Sequence, residues 1–268
     1  MIRLVVCDID CTLIDKDEVL PKEAILLKNR LKEKGVYFSL ATGRTESLAE
    51  KYVNALDLEI PYVATNGATV VLKDKVVRRL QIPVSPLRPF IEKADSLGMS
   101  IVYSIEGREW YWRDTTYLKA QREAFDRYHD QHIFTEEEWG KTNIDKLSLF
   151  TDVYDDRVSR LEEDAKKLPS TYCYTRYVDR SIEIVDSRAT KASGVQVLAD
   201  SLGIKMDEVM FCGDHQNDME LIQAAGIGVA VANSTDDVKA VADYICKNRC
   251  FAGVKEAVEL FVLKDKEL

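Results

Sequence analysis

The chain has 268 residues, of which 46% are hydrophobic and 31% charged, enough to bury one large core or two small ones. Lysine and arginine number 37 against 46 aspartates and glutamates, a net charge of −9 with no basic block, which argues against nucleic acid or anionic membrane as a partner. No charged and apolar leader precedes the first strand, and no apolar stretch approaches a membrane span. The six cysteines form no C-x-x-C pair, and Cys246 and Cys250 have no second pair to complete a metal site, so a cytoplasmic protein with reduced thiols is expected.

In chain order, Ile2 and Leu4 to Cys7 predict a short strand buried on both faces, and it ends in Asp8-Ile9-Asp10-Cys11-Thr12. Residues 21–34 carry Ala24, Leu27 and Leu31 at helical spacing, with Gly35 in the C-cap place. A strand at 36–40 leads into Ala41-Thr42-Gly43-Arg44. A helix at 45–56 follows, with Leu48, Tyr52 and Leu56 on one face, and then a third short strand at 62–64. This alternation predicts a parallel sheet with right-handed crossovers.

The pattern then changes. Residues 70–72 and 76–80 flank Lys73-Asp74-Lys75 as a hairpin. From about 83 the chain is richer in aromatic residues. Helices are expected at 85–97, 116–128 and 155–168, and strands at 100–104, 109–112 and 146–150. A last hairpin at 172–177 and 182–185 turns around Asp179-Arg180. Trp110, Tyr111 and Trp112 alternate along one of these strands. Helices separated by hairpins suggest an inserted α+β module.

From Lys191 the first pattern returns. A helix through Val195, Leu198 and Leu202 ends at Gly203, and a strand at 209–212 enters Gly213-Asp214-His215-Gln216-Asn217-Asp218. A helix at 219–225, a strand at 227–232 and a helix from Ser234 through Val238, Val241 and Ile245 complete the reading.

Taken singly, each polar cluster has an ordinary explanation. The acids at 8 and 10 could cap a turn, Thr42 a helix, Asn217 or Asp218 the next helix, and Lys191 could be a solvated surface lysine. Taken together, three clusters fall at predicted strand ends and one at a helix start, where open α/β sheets bind ligands. Two carboxylates one residue apart repel unless a proton or cation lies between them, and a hard divalent ion such as Mg²⁺ suits carboxylates and phosphate oxygens. A lysine in the first turn of a helix opposes the helix dipole, so something anionic is expected opposite Lys191.

These clusters, with Ile60-Pro61-Tyr62-Val63-Ala64-Thr65-Asn66-Gly67-Ala68, resemble the haloacid-dehalogenase-like phosphatases, and within them the Cof-type hydrolases with a type-2 cap. The similarity spans nearly the whole chain. It implies an α/β fold: a Rossmann-like parallel-sheet core of residues 1–82 and 184–268, split by an inserted α+β cap of residues 83–183 that closes over the substrate. One departure is visible, Cys11 in a place where these phosphatases usually carry glycine.

The expected reaction follows from what phosphoryl transfer needs: a nucleophile, a cation, donors to the phosphoryl oxygens and an acid. Asp8 is read as the nucleophile and Asp10 as general acid and then base, the roles the resemblance also assigns. The resemblance further implies that the backbone carbonyl of Asp10 ligates Mg²⁺. Asp8, Asp10, Asp214 and Asp218 are the expected metal set, with Asp218 ligating through water or orienting Lys191. Thr42, Gly43, Lys191 and Asn217 are expected at the phosphate. Arg44 reaches the phosphate, the substrate or the surface. His215 borders the site, and Asn66 and Asn233 are candidates to line it. The substrate is expected to be a small phosphorylated metabolite: a sugar phosphate first, then pyridoxal phosphate or flavin mononucleotide. A monomer or homodimer is expected. The rival readings are a phosphoacceptor signalling module, a phosphomutase or other phosphotransferase, and a metabolite-binding protein that has lost catalysis.

Overall fold

A computed structural model describes residues 1–72, 75–177 and 180–264 and divides into two compact units. The first comprises Met1–Arg44, Ala49–Arg78 and Thr190–Leu268; the second comprises Thr45–Leu48 and Arg79–Ala189. The expected turn residues Lys73, Asp74 and Asp179 lie outside the described residues.

The first unit centres on a five-stranded sheet. Its spatial order is Tyr244–Ile245, Ile227–Ala230, Val209–Gly213, Leu4–Cys7 and Tyr37–Leu40, every pairing parallel. Side chains alternate between two buried layers. Val5, Cys7, Phe38, Leu40, Met210 and Cys212 pack with Leu27, Leu31 and Val254 on one face. Leu4, Val6, Val209 and Phe211 pack with Val195, Leu198 and Leu221 on the other. A sheet covered on both faces has no polar side, which is why these strands read as unbroken apolar runs.

Two sequence expectations change here. The strand Tyr62–Ala64 does not extend the parallel ladder; it pairs antiparallel with Thr69–Leu72. Only four residues separate the two, too few for a crossover helix, so a reversal is the geometry available. Its link to the main sheet is the isolated parallel bridge Ala41–Val63. The helix expected through Ile245 is Asp236–Val241, with Thr235 rather than Ser234 as its N-cap residue. Ser234 instead donates its hydroxyl to the Gly213 carbonyl at 3.1 Å, and Tyr244–Ile245 becomes the edge strand. A helix not anticipated, Cys250–Val258, buries Phe251, Val254 and Val258.

The second unit holds an antiparallel sheet in the order Tyr172–Tyr177, Ser181–Asp186, Lys146–Phe150, Ser100–Ile105, Arg108–Tyr111. Helices Arg88–Ser96 and Arg157–Ala165 bury Phe90, Ile91, Val158 and Leu161 in one cluster with Ile101, Leu147 and Ile182. Trp110 and Trp112 belong to that side of the sheet, while Tyr111 packs on the other with Leu118 and Tyr128. Among the described residues no helix is long and apolar enough to cross a membrane.

Candidate active site

Parallel strands finish at a common edge, so the residues that follow 7, 40 and 212 converge. The Asp8 N–H donates to Cys212 O at 2.9 Å and the Ala41 N–H to Cys7 O at 3.0 Å, which sets Asp8 level with the other two strand ends. Lys191 arrives from the helix Lys191–Ser201, whose N-cap Thr190 accepts from the Ser193 N–H.

All of these groups are withdrawn from solvent: Asp8 is 5% exposed, Lys191 1%, Asp214 8%, and Thr42 and Asp218 0%. The Lys191 ammonium donates to Asp8 Oδ1 at 2.7 Å and to Asp218 Oδ1 at 2.6 Å. Asp218 Oδ2 accepts the N–H groups of Asp214 at 2.9 Å and His215 at 3.1 Å. This turn depends on Gly213, because a Cβ there would stand 2.6 Å from Asp218 Cγ. Thr12 donates its hydroxyl to Asp214 Oδ1 at 3.0 Å.

The charge balance is uneven. Side-chain oxygens of Asp8, Asp214 and Asp218 lie within 4.8 Å of one another, and one ammonium stands among them. Burial pushes the Asp8 carboxyl well above its usual range, opposed by Lys191 and reinforced by Asp218 and Asp214. Burial, then Asp218, push Asp214 up to about 7. Burial pulls the Lys191 ammonium down, but Asp218 and Asp8 outweigh it and hold the group above its usual value. Buried hard oxygen donors with a deficit of positive charge fit a divalent cation of the Mg²⁺ type. Both Asp218 oxygens are engaged, by Lys191 and by two backbone N–H groups, which makes Asp8 and Asp214 the better ligands.

Asp10 takes a different position from the other three acids. Its carboxylate, half exposed, accepts two hydrogen bonds from Arg44, Nε to Oδ2 at 2.9 Å and Nη2 to Oδ1 at 2.6 Å. Arg44, expected at the phosphate, the substrate or the surface, is buried and also touches Glu18.

Thr42 Oγ1 accepts the Arg44 N–H at 3.1 Å, and the Thr42 carbonyl accepts the Asn66 N–H at 3.0 Å. Asn217 donates its amide to Asn66 Oδ1 at 2.9 Å, so the expected phosphate donor is held by the loop after the third strand. That loop is tight: Thr65 and Asn66 have left-handed φ values of 52° and 51°. Gly67 has φ +93°, and a Cβ on it would lie 1.9 Å from the Thr190 carbonyl. Only glycine lets the loop lie against the N-cap that presents Lys191.

Cys11 also has a left-handed backbone, φ 56°. Its carbonyl accepts from Asn233 Nδ2 at 2.7 Å, and Asn233 Oδ1 in turn accepts the Cys250 N–H at 2.9 Å. His215 meets Asp218 through its backbone, and burial lowers its imidazole pKa. Glu18 and Thr190 had no expected role, and Thr12 and Tyr52 were expected only as part of the first acidic cluster and of a helix face. For Thr190 the signal was the capping pattern Thr190-x-x-Ser193.

A parallel sheet that gathers three buried carboxylates and a lysine at its carboxyl edge defines an α/β enzyme built to handle a phosphoryl group. The chain belongs to the haloacid dehalogenase-like hydrolases, whose family model matches residues 5–258. It is similar to a Bacillus subtilis 5-amino-6-(5-phospho-D-ribitylamino)uracil phosphatase, with 26% identity over 257 residues and 90% of each chain covered. It is also similar to a phosphoglycolate phosphatase of Methanothermobacter thermautotrophicus, 26% identical over 260 residues and covering 97% of this chain and 99% of that one. A solved phosphatase of the superfamily from Bacteroides thetaiotaomicron matches with a TM-score of 0.80 and 25% identity, over 97% of this chain and 95% of that one. The protein is a phosphoric monoester hydrolase of this family.

Proposed function

We propose that this hydrolase removes phosphate from a small phosphorylated metabolite in two displacements, with Asp8 as nucleophile and Mg²⁺ as cofactor. The observation that supports it best is the buried Asp8 carboxylate, anchored through Oδ1 by Lys191 at 2.7 Å beside Asp214 and Asp218.

In the first step an Asp8 oxygen bonds to phosphorus, the phosphorus–oxygen bond to the alcohol breaks, and Asp10 gives its proton to the departing oxygen. In the second, Asp10 takes a proton from water, the water oxygen bonds to phosphorus, and phosphate leaves Asp8. Lys191 offsets the charge on Asp8 and the phosphoryl oxygens. Thr42, with the backbone at Gly43, donates to those oxygens, and Asn217 keeps Asn66 in place beside them. Mg²⁺, held by Asp8 and Asp214 with the Asp10 carbonyl, would neutralise charge on the phosphoryl group. Asp218 serves as the orienter of Lys191.

Residues 83–183, read as a cap on a core of 1–82 and 184–268, are assigned to substrate selection in the cytoplasm. Sugar phosphates are the first candidates, then pyridoxal phosphate and flavin mononucleotide. One relative is named for a ribityl phosphate and another for phosphoglycolate, so both compounds belong in the test set.

The test is phosphate release across that panel, with Mg²⁺ and with chelator, for the wild type and for Asp8→Asn. Mg²⁺-dependent release on a few compounds, abolished in a folded Asp8→Asn variant, supports the reading. Substantial turnover by Asp8→Asn removes Asp8 from the nucleophile role. A stable aspartyl-phosphate without turnover favours the phosphoacceptor alternative.

A further inference from the structure

The Arg44 side chain is 5% exposed, and its guanidinium spans two carboxylates. Toward Asp10 it makes the paired contacts at 2.9 and 2.6 Å. Toward Glu18 it makes a second pair, Nη1 to Oε2 at 3.3 Å and Nη2 to Oε1 at 3.0 Å. Arginine presents its donors in a rigid planar fork, so two forked contacts define the plane and rotation of the group, which a single ion pair does not.

Glu18 is itself built in. Its side chain is 12% exposed, its backbone is left-handed at φ 57°, and its N–H donates to Asp15 O at 3.0 Å. Tyr52 holds the arrangement from the helix Glu46–Ala55. Its hydroxyl donates to the Glu18 carbonyl at 3.1 Å, and its ring lies 5.1 Å from the Arg44 guanidinium carbon. Lys51 adds a contact to Glu18 Oε2 at 3.3 Å. A rigid helix thus fixes Glu18, Glu18 fixes Arg44, and Arg44 fixes Asp10.

We infer that Glu18, seated by Tyr52, is a positioning residue: it aligns Arg44, which holds the Asp10 carboxylate by both oxygens apart from the Asp8–Asp214–Asp218 group and so sets where Asp10 stands when the alcohol oxygen departs. This rests on the reading of Asp10 as general acid. An oxygen that leaves as a poor leaving group needs that proton within hydrogen-bond reach, and small misplacements lose much of the advantage.

The test compares an alkyl phosphate with p-nitrophenyl phosphate, whose phenolate departs without protonation. Glu18→Gln and Tyr52→Phe are measured beside Asp10→Asn, all with Mg²⁺, together with thermal midpoints. General acids contribute about 10²–10⁴-fold, so partial misalignment in Glu18→Gln is expected to cost about tenfold in kcat on the alkyl phosphate. KM should hold, and kcat on p-nitrophenyl phosphate should change by less than about threefold. Tyr52→Phe should show the same selectivity more weakly. Equal losses on both compounds in Glu18→Gln, or no loss on either, while Asp10→Asn remains selective, overturn the inference and leave the general acid standing. A non-selective Asp10→Asn overturns the acid reading and this inference with it.

Discussion

Replacing Lys191 by methionine keeps the length and apolar stem of the side chain and removes its charge. The ammonium is 1% exposed and makes two charge-assisted hydrogen bonds, 2.7 Å to Asp8 and 2.6 Å to Asp218. Each such bond is worth about 1.5–3 kcal/mol, and breaking a buried ion pair from one side costs about 3–5 kcal/mol because a charge is left uncompensated. At about 2–4 °C per kcal/mol, the thermal midpoint should fall by about 6–20 °C in chelator at pH 8. The loss should shrink toward pH 5. Burial already raises the Asp8 carboxyl, and without Lys191 it rises further. The folded variant then holds a proton that the unfolded chain releases above about pH 4, so its stability falls as pH climbs from there through the raised folded value. Differential scanning calorimetry of both proteins at pH 5 and 8 decides it. A midpoint change below about 2 °C at pH 8, or one independent of pH, would refute the claim that Lys191 neutralises this cluster.

Further outcomes follow from the geometry of the site. Burial and Asp218 push Asp214 up to about 7, so a Mg²⁺ ion held there as proposed would have to displace a proton at lower pH. Apparent Mg²⁺ affinity should weaken by about tenfold per unit below pH 7, with proton release seen by titration calorimetry in buffers of different ionisation enthalpy; equal affinity at pH 6 and 8 would contradict it. The metal-free protein should lose stability as pH rises from about 4 through 7, the sign for a carboxyl raised on folding. Cys11 holds φ 56°, and Cys11→Gly releases about 1–2 kcal/mol of left-handed strain against about 0.5–1 kcal/mol of added chain entropy. A net gain of up to about 1.5 kcal/mol is expected on denaturant unfolding, with activity retained. The thiol, pushed up to about 11 by burial, is no nucleophile at neutral pH. Cys11→Val should destabilise, because a β-branched residue tolerates that backbone poorly.

Much of the site was legible because the chemistry follows the strand ends. Apolar runs at 4–7, 36–40 and 209–212 marked buried parallel strands, and the polar residues just beyond them had to meet at one edge. Lys191 was legible from a local conflict, a cation set against a helix dipole. The strand at 62–64 formed where expected and meets the parallel sheet at the Ala41–Val63 bridge, while its antiparallel partner at 69–72 follows from a connection of only four residues. The helix through Ile245 failed because periodicity alone cannot tell a helix end from a short edge strand.

Local pattern and residue chemistry therefore determined the sheet, the acids beyond its strands and the class of reaction. The tertiary structure decided which side chains pair: Asp218 on Lys191, Thr12 on Asp214, Asn217 on Asn66, and Asp10 on an arginine braced by Glu18 and Tyr52. A hydrogen bond is settled at the scale of an ångström, here by residues 202 positions apart in the case of Thr12 and Asp214. Spacing along the chain carries no information at that separation, whereas packing the strands and helices around a common core brings those residues within reach.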